Sequence, residues 1–285
     1  MNINNSVGIG GSNNRNDVFI VQKKLQENGF PGLADDGVVG VQTISAIKNF
    51  QRRFMHFPDG IISPNGATEK RLFNKQVISA DNASSIPVDM SGTLHVKSGQ
   101  VTFDAEGNDS PASPYFSRVL HWPGGASGVT IGRGYDMKAR TEKSVYNDLF
   151  QSGVDPHIAS LMSKGHGLHG NKARDFVRQN KQICGSITRS MQVNLFSRIY
   201  PAYVSRAQTF YDSYKSADCT PWSDLKAVIK DVIVDMCYQG VLRKLDIEVL
   251  GQNDTDLAIR LISSTPRINK YENGRHRISY LKRGL

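Results

Sequence analysis

Behind Asp17, the apolar residues Val18, Val21 and Leu25 recur at helical spacing and Gly29 follows as a stop. The pattern predicts a helix capped by Asp17. The turn "ADDGVVG" separates it from a second helix over 43–53, in which Ile44, Ile47 and Phe50 are spaced for burial. "PDGIISPNGATEKRLF" adds another DG turn and a short third helix. A three-helix domain is therefore expected over 15–76, behind an Asn/Gly/Ser-rich tail at 1–14 that reads as disordered and flexible. Helical periodicity fades through "VISADNASSIPVDMSGT", which marks a linker at 77–97.

The pattern changes in the second domain, 98–285. In "SGVTIGRGYDM", 127–137, Val129 and Ile131 alternate with glycines as a strand edge would, and a small β-hairpin is predicted. Helical spacing then dominates, with helices expected at 141–151, 155–164, 171–180, 189–214, 222–238, 254–262 and 274–283. The one starting near Trp222 lines up Leu225, Val228, Ile229, Val232 and Met236 and should be the buried central helix. The fold class expected is mainly α: a small three-helix domain plus an α+β domain with a hairpin and a helical lobe.

At 285 residues the chain is long enough for two cores. Its formal charge is +9; residues 1–80 contribute +3 and the rest +6, and the last stretch, "RINKYENGRHRISYLKRGL", holds six basic residues against one acid. That excess predicts attraction to a polyanion: nucleic acid, an anionic membrane face or an acidic wall polymer. Tyr271 and Tyr280 are too few and too helically spaced for a base-stacking platform, so nucleic acid is not expected. Cys184, Cys219 and Cys237 are odd in number and lack zinc-ribbon spacing, so they read as reduced thiols. The N-terminus shows no basic and apolar leader, which predicts synthesis in the cytoplasm without a signal peptide. A monomer is expected.

Glycosidic cleavage needs an acid for the leaving oxygen and a second carboxylate to guide water or stabilise the cation-like state. Glu106, in "FDAEGN" at an expected loop or helix start, is the candidate acid; Asp136, just after the hairpin glycines, is its candidate partner. Thr130 could hold a water, and a hydroxyl beside a carboxylate predicts inversion. Asp136 has a competing structural role as a partner of Arg133 or Arg140. His166 and His169, with His157 or Asp175, raise a zinc alternative, but two histidines in a glycine loop without an HExxH pattern are a weak signal, and neither metal nor cofactor is expected.

Two stretches carry resemblances. Val18, Val21-Gln22, Leu25, Gly29, Asp36-Gly37, Gly40, Thr43, Ala46, Phe50-Gln51, Asp59-Gly60, Thr68 and Leu72 occur in the order seen in the peptidoglycan-binding domains of bacterial and phage wall hydrolases, which this segment resembles. Glu106 and "TIGRG" at 130–134 resemble the lysozyme-like family of tailed phages. Gly124 stands where those enzymes place their aspartate, and Asp136 follows Thr130 instead. That order is similar to the muramidase domain of pesticin-type bacteriocins and related endolysins. "VIVDMCYQG" resembles the buried helix that ends beside the cleft of phage lysozymes, which makes Gln239 a substrate contact; Arg133 and Tyr135 join it in the expected set. The resemblance implies a muramidase that cuts the β-1,4 bond between N-acetylmuramic acid and N-acetylglucosamine. Bacterial peptidoglycan in the periplasm or wall would be its target, with anionic outer-membrane or wall polymers meeting the basic C-terminus. An endolysin is the natural setting; a bacteriocin or effector of the same chemistry, or a non-catalytic wall-binding protein, is the alternative.

Overall fold

In the computed structural model, residues 2–55, 58–73 and 88–284 are described. The chain is mainly helical, with two antiparallel sheets of two strands each. In chain order the elements are β1 (Val7–Gly8), α1 (Arg15–Glu27), α2 (Val41–Gln51), β2 (Ile61–Ile62), α3 (Ala67–Phe73), α4 (Gln100–Ala105), β3 (Thr130–Ile131), β4 (Tyr135–Asp136), α5 (Glu142–Gln151), α6 (Pro156–Ser163), α7 (Gly170–Cys184), α8 (Arg189–Tyr214), α9 (Ala227–Gln239), α10 (Lys244–Leu250), α11 (Thr255–Ser264), α12 (Pro266–Asn269), α13 (Glu272–Arg275) and α14 (Arg277–Arg283). No described helix is long and apolar enough to cross a membrane.

The N-terminal stretch differs from the disordered tail expected over 1–14. Val7 pairs with Ile62 across β1 and β2, and both Ile3 and Val7 are buried. The physical reason is Asp17. It does not cap α1, a role taken by Asn14; its carboxylate accepts from Asn4 N and Asn5 N at 3.0 Å and ties the incoming chain down.

Two buried glutamines close the two DG turns in the same way. Gln22 Nε2 donates to Asp36 Oδ1, Val38 O and Thr43 Oγ1 at 2.9–3.1 Å, and its Oε1 accepts from Gly37 N at 2.8 Å. Gln51 Nε2 donates to Asp59 Oδ1 at 2.6 Å, Ile61 O at 3.0 Å and Thr68 Oγ1 at 3.3 Å, and its Oε1 accepts from Gly60 N at 2.8 Å. Each side chain satisfies turn groups that burial would otherwise leave unpaired. Gly37 and Gly60, at φ 71° and 75°, supply the left-handed backbone that both turns require.

The compact units do not coincide with the expected domains. One contains Met1–Gly92 together with Phe116–Gln192; the other contains Thr93–Tyr115 together with Val193–Leu285. Residues 77–87 of the expected linker lie outside the described residues. Within the first unit, α2 packs on α6 and α7. Lys48 Nζ meets Asp155 Oδ2 at 2.6 Å, Asn49 Nδ2 donates to the Ile183 carbonyl, and a Cβ on Gly32 would lie 2.4 Å from the Gln179 carbonyl oxygen. The three-helix segment is thus one side of a shared core.

In the second unit α9 is central, as its apolar stripe predicts: Ile229, Val232, Ile233 and Met236 are fully buried, and α4 and α14 pack on it. The helix begins later than expected. Trp222–Asp224 forms a 3-10 turn and Leu225 is extended, so Leu225 reaches the core from outside α9. The last expected helix, 274–283, is split into α13 and α14 by His276 at φ 54°.

Candidate functional site

Glu106 stands at the end of α4, not at a helix start: its N–H donates to Thr102 O at 3.0 Å and it forms the C-cap. Its side chain is 18% exposed and its Oε1 accepts from Arg275 Nη2. The same guanidinium donates through Nη1 to Asp235 Oδ1 at 2.9 Å. Asp235 is fully buried in α9, and its Oδ2 accepts from Arg277 Nε at 2.6 Å. Arg277 in turn donates through Nη2 to Gln239 Oε1. Glu272 borders this cluster; its Oε1 accepts from Ile278 N at 2.7 Å, while its Oε2 is buried without a hydrogen-bond partner among the described residues.

The electrostatics follow from this composition. Glu106, Asp235 and Glu272 set three carboxyls against the guanidinia of Arg275 and Arg277, which favours a proton on one of the acids. Burial raises the pKa of Glu106 above the ordinary carboxylate value; Arg275 pulls it down without cancelling the rise, and Asp235 adds to it. Burial raises Glu272 likewise, against the pull of Ile278 N, Arg277 and His276. A carboxyl with a raised pKa keeps its proton to higher pH than an ordinary one and can donate it to a leaving oxygen.

The hairpin belongs to the other unit. Thr130 and Asp136 are paired residues across β3 and β4, so the register puts both on one face. The Asp136 carboxylate accepts from Lys138 N at 2.7 Å through Oδ1 and from Gly128 N at 3.2 Å through Oδ2, and so holds the hairpin closed. Glycine suits position 128, because a Cβ there would sit 2.9 Å from the Lys138 backbone N as well as against Asp136 Oδ1. Arg140 does not engage that carboxylate; it donates to the Asp136 carbonyl at 3.1 Å and lies 3.5 Å from Asp148. Thr130 is 4% exposed and its hydroxyl donates to Gly128 O at 3.3 Å.

Two expected substrate contacts, Tyr135 and Arg133, are buried. Tyr135 is fully buried, with its hydroxyl donating to Asp148 Oδ2 at 2.7 Å and Arg140 over its ring at 4.2 Å. It is a core residue because an aromatic ring with a satisfied hydroxyl can be buried at no polar cost. Gln239 sits beside Glu106's cluster through Arg277. Sequence reasoning missed Asp235, Arg275, Arg277 and Glu272. The available signal was the lone acid in the apolar run "VIVDMCY", which burial obliges to find cations, and the arginine pair flanking His276.

The histidines of the zinc alternative lie apart in role. His166 Nδ1 is 3.0 Å from Ser163 O, and His169 Nδ1 is 3.2 Å from Gly167 O. Among the described residues, no group of three or more His, Cys, Asp or Glu side chains is gathered in a way that could hold a metal ion.

Residues 99–263 match the family described as Domain of unknown function (DUF8812), and residues 14–66 match a peptidoglycan binding domain. The second match makes peptidoglycan a partner of the chain. No curated protein shows a significant match.

Proposed function

We propose that this chain, which belongs to the DUF8812 family and carries a peptidoglycan-binding domain, is a peptidoglycan hydrolase of the lysozyme type, in which Glu106 is the proton donor. The observation that carries this reading is the Glu106 carboxyl, held above the ordinary carboxylate pKa by burial in a cluster with one acid more than its bases. The protonated carboxyl delivers its proton to the glycosidic oxygen as the C–O bond breaks, and water completes the hydrolysis. Arg275 then steadies the carboxylate left behind. The bond assigned is the β-1,4 link between N-acetylmuramic acid and N-acetylglucosamine, cut with inversion. The chain acts on the cell wall, as an endolysin or an antibacterial effector, and its basic C-terminal stretch meets anionic polymers there.

Mass spectrometry of muropeptides after digestion of purified sacculi tests the assignment. New reducing ends on muramic acid support it; reducing ends on glucosamine, anhydro-muramic ends or freed amines overturn it. A second reading, a non-catalytic wall-binding protein, is favoured by one observation: both oxygens of the Asp136 carboxylate are engaged by backbone amides of its own hairpin. Sacculi that bind the protein without losing turbidity would select that reading.

A further inference from the structure

The two glutamine-closed turns differ in what lies on their edge. In the second, Ile61–Ile62 pairs with Val7–Gly8, and Ile9 N donates to Gly60 O at 3.0 Å. In the first, residues 38–40 have no strand partner among the described residues, and Val38 is 60% exposed. That uncovered edge opens on a pocket of about 270 Å³. Leu33, Val38, Val41 and Asp36 line it, and so do Leu161 and Lys164, from the DUF8812 stretch of the same compact unit.

We infer that this pocket seats a short extended peptide, the stem peptide of peptidoglycan, laid along residues 38–40 where the second turn carries Val7–Gly8. The inference rests on peptidoglycan being the partner, and it places the binding determinant jointly on the binding domain and on the DUF8812 stretch. Three observations select a peptide. The turn's own contacts take Val38 N, Val38 O and Gly40 O, while the Val39 N–H and C=O have no partner among the described residues and are the groups that peptide amides can pair with. The chain itself covers the equivalent edge of the second turn with two extended residues. The charges are also complementary: Asp36 and Lys164 present a carboxylate and an ammonium to a stem that bears carboxylates and an amine. Lys164 pairs with Glu142 in an exposed ion pair, so it can turn to a ligand at little cost.

The test uses the full chain and co-sedimentation with purified sacculi. Gly40 lines the pocket, a Cβ on it meets nothing within 4 Å and its φ is −108°, so Gly40→Phe adds bulk at the pocket without straining the backbone. Gly40→Phe and Lys164→Glu should each weaken sacculus binding about tenfold, with thermal midpoints near that of the parent chain. Lys70→Glu, an equal charge change on an exposed residue outside the pocket lining, should leave binding unchanged. Soluble stem peptide should displace the chain from sacculi, and peptide-free glycan strands should not. Parent-like binding by both pocket variants, equal losses at Lys70 and Lys164, or displacement by glycan alone overturns the inference while leaving the wall partner intact. Failure of the parent chain to sediment with sacculi overturns both.

Discussion

Lys48 Nζ lies 2.6 Å from Asp155 Oδ2, and the other oxygen of that carboxylate accepts from His157 N at 3.0 Å to cap α6. One acid thus starts a helix of the DUF8812 stretch and anchors α2 of the binding domain. Burial would raise its pKa, but Lys48 and the cap amides outweigh burial and hold it below the ordinary carboxylate value. The stability this supplies is present above the unfolded-state pKa and is lost as pH falls through the lowered one. Lys48→Met should cost about 2–3 kcal/mol at pH 7 and flatten the acid limb of a stability-against-pH curve measured by urea unfolding.

The same anchoring makes a prediction about truncation. Deleting residues 1–90 removes α2 from the face of α6 and α7, where Ile158, Ala159 and Ile183 are buried. The remaining chain should melt at lower temperature and expose apolar surface, read by calorimetry and dye binding. A truncated chain with an unchanged melting profile would mean that the binding domain contributes nothing to this core.

Gln22 and Gln51 should prove equivalent in stability. Replacing either by Ala strands a turn N–H and the two carbonyl or hydroxyl groups it served, at a cost of about 2–3 kcal/mol each. Since the turns are separate, the double variant should lose close to the sum.

This pair also shows how much was legible from residues alone. Most of the helices, both DG turns and the hairpin follow from local periodicity and turn chemistry; the short helices α4 and α10 do not, and it is the cross-strand register of the hairpin that pairs Thr130 with Asp136. What could not be read was long-range. Asp17 binds Asn4 and Asn5 instead of capping, and α2 packs on helices more than a hundred positions away, because such pairings depend on packing that no local window contains. The setting of Glu106 was hidden for the same reason: its bases come from α13 and α14, at the far end of the chain.

Glu106→Gln should lower lysis of sacculi by roughly 10²–10⁴-fold while the fold persists. With the raised pKa of Glu106, parent activity should fall as pH rises past the ordinary carboxylate range, and the residual activity of the variant should lack that limb. Proton NMR of the first-formed anomer checks the stereochemistry: an initial α product from the β-linked wall is expected, and a β product would establish retention.

Glu272→Gln isolates the excess acid of the cluster. A raised folded-state pKa contributes stability that is full below the unfolded pKa and is lost as pH rises through the raised value. The amide keeps an oxygen for Ile278 N and carries no charge, so the variant should be more stable than the parent at pH 8 and nearly equal to it at pH 4, by thermal midpoint.

His276, in the left-handed region at φ 54°, interrupts what would otherwise be one terminal helix. Residues two apart on a continuous helix point to nearly opposite sides, so an unbroken run would let only one of Arg275 and Arg277 reach Asp235. The break turns both guanidinia onto a single carboxylate, one to each oxygen. A strained backbone at one histidine is therefore the hinge-pin of a two-armed clamp, and the arm that closes on Asp235 from Arg275 is the same one that grips Glu106.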